Sequence, residues 1–444
     1  MQRRIILVDF YWTRDKDPRV PLGHASLLAA LRGADVADVR TIVEPVNVAV
    51  PPVAAIATKI LDFAAGMGPR DVDVAIGVYV WSEDLVKEVV RRLRLSGFAG
   101  RIILGGPQVS YAGSGVDSLY PGADVFVRGY GEQALVELAR TSERVPIVGV
   151  HYAGMPDQVE QAAVDLAQLP SPFLTGAVPL DGQRFVRWES QRGCPFRCAF
   201  CQHREAGARL IRSSLAEERI FQELDIFCAL GVEDIAVLDP IFNANPLAVA
   251  ILKRFAAHQF RGRISLQCRA EMTTREFLDA AQRLNVQLEF GLQTIHDREG
   301  RAIRRSNNMP KVDKVLRDVR GRGLPHEVTL IFGLPEQTLA SFGQTVAWCL
   351  EREVPVIKAF PLMLLRGTEL DKNRSAWGLV EDGGSMPMVI ASNTFTEADW
   401  RAMAQISAAL QMTEGRHPSN IAQLVRWARE LAPQVERWRP DLAA

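Results

Sequence analysis

The sequence predicts an α/β protein: an N-terminal doubly wound, Rossmann-like parallel sheet, then a partial (β/α)6 barrel and a small helical C-terminal tail. Two series of short β-branched runs alternate with helical periodicity, one from residue 5 to about 150 and one from about 184 to 372. Between them Pro156, Pro170, Pro172 and Pro179 break any long element. At 444 residues the chain also exceeds what one hydrophobic core normally organises. The expected division is therefore 1–150 for the sheet domain, 151–183 for a linker, 184–372 for the barrel and 373–444 for the helical region.

In the first series, residues 5–8, 74–80, 102–104 and 125–127 read as strands, and 25–31, 53–63 and 85–93 carry helical spacing. The run at 5–8 follows basic residues but is short and meets Asp9, so a strand is expected there and not a signal peptide. In open parallel sheets ligands sit at the carboxyl ends of the strands. That directs attention to the loops holding Tyr79 to Ser82, Gly105-Gly106, and Gly129-Tyr130-Gly131-Glu132. A Gly-Gly pair lets backbone approach a flat ligand closely, and it equally suits a tight strand-to-helix turn. His24 begins a helix and is expected as a surface or capping residue.

In the second series, strands are read at 185–188, 235–238, 264–268, 286–290, 328–332 and 354–360, with helices at about 214–230, 246–258, 274–284, 311–321 and 338–352. Amphipathic helices near 397–411 and 419–437 would close the open side of the barrel or pack in a dimer. Directly after the first of these strands, half of the six cysteines fall within eight residues as Cys194-x3-Cys198-x2-Cys201. Three thiolates on one loop can ligate three irons of a 4Fe-4S cluster and leave the fourth iron open, whereas an electron-transfer cluster normally takes four cysteines. A zinc knuckle would need a fourth ligand, which His203 could supply by spacing, but no second Cys or His pair exists. Cys228, Cys268 and Cys349 stand alone in apolar runs and are expected in the core.

Lys plus Arg and Asp plus Glu both total 52, and no long basic block occurs, so a small-molecule or peptide substrate is expected and a nucleic-acid surface is not. No apolar segment is long enough to span a bilayer. Few cysteines and no secretory signal point to the reducing cytoplasm, which also suits an oxygen-sensitive cluster.

The carboxyl ends of the barrel strands, where function concentrates in such folds, are unusually polar. Asp239 and Asn243 follow the second strand, Gln267, Arg269 and Glu271 the third, Gln293 and Thr294 the fourth, and Glu336 and Gln337 the fifth. With Phe200 just before the last cysteine, the cysteine spacing resembles the signature of the radical S-adenosylmethionine (radical SAM) enzymes. Residues 288–294, Arg304-Arg305 and residues 330–338 resemble that family's run through its fourth and fifth strands. The first 150 residues, on Ser82 with Leu85, Gly105-Gly106 and the turn from Gly129 to Glu132, resemble the cobalamin-binding domain that precedes the radical SAM domain in a large subgroup. The Asp-x-His-x-x-Gly pattern of many cobalamin proteins occurs nowhere in the chain.

This resemblance implies that Cys194, Cys198 and Cys201 hold the cluster and that the open iron chelates the amino and carboxylate groups of SAM. One electron from a flavodoxin- or ferredoxin-type donor then yields a 5′-deoxyadenosyl radical. By the same resemblance Gln293 and Gln267 face the ribose, Arg305 the methionine carboxylate, and Phe200 with the backbone from Ile331 to Gly333 the adenine. Asp239, Arg269 and Glu271 complete that pocket, although the two acids also suit turn and cap positions. Thr329 departs from the pattern, standing where some relatives place an aspartate. Ser82, Gly105, Gly106, Gly131 and Glu132 would border cobalamin, with bulky Tyr79, Trp81 and Tyr130 near the ring site. The implied activity is cobalamin-dependent methyl transfer in natural-product or cofactor biosynthesis. Without cobalamin it is radical dehydration or rearrangement of a polyol or aminoglycoside, and the rival from another class is a metal-stabilised cobalamin- or nucleotide-binding protein without chemistry.

Overall fold

The computed structural model describes residues 3–49, 51–203 and 213–431. It divides into two compact units: one runs to Arg187 and takes in the described part of 204–226, and the other comprises Trp188–His203 and the chain from Phe227 on.

Six strands form the sheet of the first unit: β1 (Arg4–Tyr11), β2 (Asp38–Pro45), β3 (Val72–Gly77), β4 (Arg101–Gly105), β5 (Val125–Val127) and β6 (Val150–Tyr152). Their order is β2-β1-β3-β4-β5-β6, parallel except for β6, which runs antiparallel to β5. Ile6, Val8, Val74, Ile76, Ile102 and Leu104 fill the core around the central strands. Helix Glu83–Leu95 carries Glu83 and Asp84 in its first turn and Arg92 and Arg94 in its last, complementing the helix dipole. Sequence reading misses β2 and β6. β2 is an edge strand with Arg40 and Thr41 exposed, so its apolar run is too broken to stand out. Part of the stretch expected as a linker is fastened to this unit. Ala162 exchanges backbone hydrogen bonds with Arg128 and Tyr130, and the buried Arg128 grips Asp157 bidentately at 2.7 and 2.8 Å.

His24 departs from its expected surface position. It lies on helix Leu22–Ala34 at 2% exposure with Nε2 unpartnered, and burial lowers its pKa to about 4, keeping the ring neutral. Asp9 on β1 is a second buried, unpaired ionisable group, 4% exposed with Oδ1 unpartnered, and burial raises its pKa to about 7. Between the ordinary carboxylate pKa and that value the folded chain holds a proton that the unfolded chain has released, so stability falls as pH rises through this window. Asp9→Asn is therefore expected to raise the melting temperature more at pH 8 than at pH 5, by an extra increment worth about 2–3 kcal/mol. An equal gain at both pH values in thermal scans would refute it.

The second sheet comprises β7 (Phe185–Trp188), β8 (Asp234–Val237), β9 (Arg263–Cys268), β10 (Asn285–Gln293), β11 (His326–Phe332) and β12 (Val356–Pro361). The strands lie in sequential order, parallel from β8 to β12 and unclosed between β7 and β12, as in a partial barrel. All six were legible in the sequence to within about two residues at most ends, and β10 extends farther, to Gln293. The tail lies against the β12 edge. Ser407, on helix Glu397–Met412, donates to Ala359 O at 2.6 Å, and His417 Nε2 accepts the Ile357 N–H at 3.1 Å, so edge groups of β12 are paired. A second tail helix spans Ile421–Leu431, and the rest of its expected course lies outside the described residues. Cys268 and Cys349 are buried as expected, but Cys228 is only half-buried, at the end of the stripe Ile220, Leu224 and Phe227 on helix Glu217–Ala229. Among the described residues no helix is long and apolar enough to cross a membrane.

Candidate functional site

The cysteine loop leaves β7 and is pinned along its length. Asp239, beyond the end of β8, is 0% exposed and accepts from Ser190 N at 2.7 Å, Ser190 Oγ at 2.5 Å and Gln191 N at 3.2 Å. Burial pushes its carboxyl up to about 6 against those hydrogen bonds. Both oxygens are thus engaged by the start of the loop, so Asp239 positions the loop. Asn245 Nδ2 holds Ser190 Oγ at 2.8 Å. Farther on, Ala199 N donates to Ile303 O at 2.8 Å, Leu370 N to Ala199 O at 3.0 Å, and Gln202 Nε2 to Arg366 O at 2.8 Å.

Cys194, Cys198 and Cys201 are free and half-buried on this loop. Burial raises the Cys194 thiol and takes Cys201 to about 11, with Cys198 and Cys194 adding repulsion while the His203 N–H, 3.3 Å from Cys201 Sγ, opposes it. Arg305 Nη1 lies 3.8 Å from Cys198 Sγ. Thiols that feel one another's charge ionise together only when a cation compensates them, and a metal centre does so. Among the described residues no three His, Cys, Asp or Glu side chains gather as around a single ion. The donor set itself, three thiols on one loop, fits a cluster whose ligands bind separate irons.

Beside the loop, β10 ends irregularly. Its register against β11 shifts between Gly291 and Gln293, and Gln293 takes φ of 69°, a left-handed conformation that non-glycine residues seldom adopt. A Cβ on Gly291 would stand 2.9 Å from Gln293 Nε2 and 3.4 Å from Arg305 Nη2, so glycine makes room for both side chains. Arg305 Nη2 donates to Gly291 O. Arg305 Nε and Gln293 Oε1 are buried and have no partner. Buried polar atoms left unpaired call for an explanation, and a polar ligand completing them is one.

The other expected pocket residues divide by what they touch. Arg269 is buried with its guanidinium 4.1 Å from the centre of the Phe196 ring on the cysteine loop, and it donates to Glu271 Oε2 at 3.3 Å and Ser306 O at 3.0 Å. Glu271 Oε1 in turn accepts the Asn308 N–H at 3.2 Å. This pair braces the cysteine loop against the segment after Arg305. Gln267 on β9 is exposed and in register with Glu289 on β10, on the face that alternates with buried Leu266 and Cys268. Ile331 and Phe200 are half-buried.

Beyond the expected set, a buried network fixes the end of β11. Gln337 Oε1 accepts from Gly333 N at 2.7 Å and Leu334 N at 3.2 Å, and its Nε2 donates to Ile331 O at 3.1 Å. Glu299 joins it, accepting from Thr294 Oγ1 at 2.5 Å and Gln337 Nε2 at 3.5 Å. Glu299 sits inside a short helix after an unremarkable polar stretch, so only the glutamine in Gly333-Leu334-Pro335-Glu336-Gln337 hinted at it.

In the first unit the loop residues are engaged with protein. Gly106 takes φ of 93°, and a Cβ there would stand 2.9 Å from Val78 O, while Gly105 O accepts the Val78 N–H at 2.8 Å. Gly106 is thus required by a backbone crossing and gives no independent sign of a ligand. Ser82 Oγ accepts the Tyr79 N–H at 3.2 Å, Gly131 opens helix Gly131–Ala139, and Glu132 is buried against Ser26 Oγ at 2.8 Å. Tyr79 and Trp81 stack with ring centroids 4.9 Å apart, past the end of β3 and beside the β1/β3 switch of strand order.

Residues 188–349 match the Radical SAM superfamily. The chain is 32% identical over 212 residues to 2-(S-pantetheinyl)-carbapenam-3-carboxylate methyltransferase of Streptantibioticus cattleyicolor, an alignment covering 44% of this chain and 31% of that protein. It is 30% identical over 213 residues to the cobalamin-dependent radical SAM methyltransferase TokK of Streptomyces tokunonensis, with the same shares covered. The match therefore spans about a third of the length of these curated relatives. Among solved structures, TsrM of Kitasatospora setae, with cobalamin and a [4Fe-4S] cluster bound, shares the fold at a TM-score of 0.67 and 17% identity, covering 91% of this chain and 82% of that one.

Proposed function

We propose, from the match of residues 188–349 to the Radical SAM superfamily, a cobalamin-dependent radical SAM methyltransferase of natural-product or cofactor biosynthesis, acting on a small molecule or peptide. The observation that carries the SAM site is Arg305, with Nη1 3.8 Å from Cys198 Sγ and Nε unpartnered, beside the unpartnered Gln293 Oε1. Methyl transfer is supported by the two relatives named as methyltransferases. A 4Fe-4S cluster on Cys194, Cys198 and Cys201 would supply the electron that cleaves SAM, and a corrinoid would supply the methyl carrier. Arg305 then balances the SAM carboxylate, Gln293 accepts a ribose hydroxyl, and the Ile331 to Gly333 backbone, held by Gln337, borders the adenine. Gln267, exposed on β9, offers a second ribose contact. Arg269 and Glu271 keep the loop in place. Tyr79 and Trp81 are the residues that would face a corrinoid. A flavodoxin- or ferredoxin-type donor in the cytoplasm provides the electron.

The test is anaerobic reconstitution with hydroxocobalamin, desalting and an absorbance spectrum, followed by reduction in the presence of SAM. Retained corrinoid, with both S-adenosylhomocysteine and 5′-deoxyadenosine formed once substrate is supplied, is the expected result. SAM cleavage without retained corrinoid would replace methyl transfer by radical dehydration or rearrangement. That second reading is favoured by the internal engagement of Ser82, Gly105, Gly106 and Glu132. Neither product, from a folded protein, would leave a metal-stabilised binding protein.

A further inference from the structure

On the outer side of the second unit, a cavity of about 770 Å³ is lined by Thr273, Arg275, Lys311, Lys314 and Arg322 among others, between helices Arg275–Ala281 and Met309–Gly321. Its lining holds four cations against one carboxylate, Asp318. Arg322 is answered by Asp318 at 2.8 Å and Asp279 at 2.6 Å. Arg275, largely exposed, reaches Asp279 only at 3.9 Å, a surface pair that contributes little. Lys311 and Lys314 are exposed, and among the described residues neither has an ion pair. On a chain of zero net charge this leaves a local excess of positive charge.

The rim of this groove connects to the cysteine loop through a short series of contacts. Asn308, on the rim, donates its N–H to Glu271 at 3.2 Å, and Glu271 pairs with Arg269, whose guanidinium stacks on Phe196 between Cys194 and Cys198. Three residues before Asn308, Arg305 touches the Cys198 sulfur. Reductive SAM cleavage needs one electron from outside, and carriers deliver it in small, transient, charge-steered encounters.

We propose that this groove docks an acidic one-electron carrier protein of the flavodoxin class, beside the cluster; the inference rests on the radical SAM reading. In the encounter one electron leaves the reduced carrier and enters the cluster, with no bond formed or broken to the carrier and no proton transferred. The exposed lysines suit a broad acidic protein face. A small free anion would call for converging buried donors, which these lysines do not provide.

The test compares Lys311→Glu/Lys314→Glu with wild type in anaerobic SAM cleavage, driven either by reduced flavodoxin or by dithionite. With flavodoxin at low salt the variant should need about tenfold more carrier for half-maximal rate, the scale on which steered association responds to charge. Added salt should slow the wild type and leave the variant nearly unchanged, and the dithionite rates should agree. Equal flavodoxin rates would overturn the proposal, and so would equal losses with both reductants, which would assign the lysines to folding. No cleavage by wild type with dithionite is a separate failure, that of the radical SAM reading itself.

Discussion

A variant with Cys194, Cys198 and Cys201 all replaced by alanine is expected to purify colourless, its iron falling from about four per chain to near zero, with SAM cleavage abolished. Its fold should survive. The loop is held by Asp239 on Ser190 and Gln191, by Asn245 on Ser190, and by backbone bonds through Ala199 to Ile303 and Leu370, none of which involves sulfur. Far-UV circular dichroism therefore separates loss of the cluster from loss of structure. A fourth protein thiolate is not expected, because Cys268 and Cys349 are buried elsewhere and both thiols are pushed upward by burial. Iron retained in the triple variant, or stoichiometric zinc in the wild type, would remove the cluster from this site.

The second large effect is expected at Arg305. Arg305→Ala should weaken SAM binding by about one to two decades, since a charge-assisted hydrogen bond contributes roughly 1.5–3 kcal/mol. It should also perturb the cluster's absorption, because Arg305 Nη1 lies 3.8 Å from Cys198 Sγ, a contact that sequence reasoning did not foresee. Arg305→Lys keeps the charge but loses the planar fork, so it should recover only part of the affinity. Gln293→Ala should cost less than Arg305→Ala, because the partner proposed for it is a neutral hydroxyl. Equilibrium binding of SAM to anaerobic protein with an intact cluster measures all three. Normal affinity in both alanine variants would exclude this corner of the pocket.

The sequence by itself determined what repeats locally. The six strands of the second sheet, the helices between them and the cysteine loop after β7 follow from apolar periodicity and residue spacing, which involve near neighbours only. The three-cysteine set was legible for the same reason, because its members lie within eight residues. Which polar residues are left with an unpartnered atom was decided by the tertiary structure. Asp239 and Gln293 both follow or end a barrel strand, yet one is enclosed with every oxygen engaged by Ser190 and Gln191, and the other carries an unpartnered oxygen at a bulge. Gly105-Gly106 reads equally as a ligand cradle or a turn in the chain, and in the fold the Val78 backbone crosses Gly106. His24 and Asp9 look like ordinary polar residues in the chain and are buried without partners in the fold. A side chain's periodic position follows from its own segment. Its hydrogen-bond partners and the dielectric around it come from segments tens to hundreds of residues away, and only the folded chain brings those together.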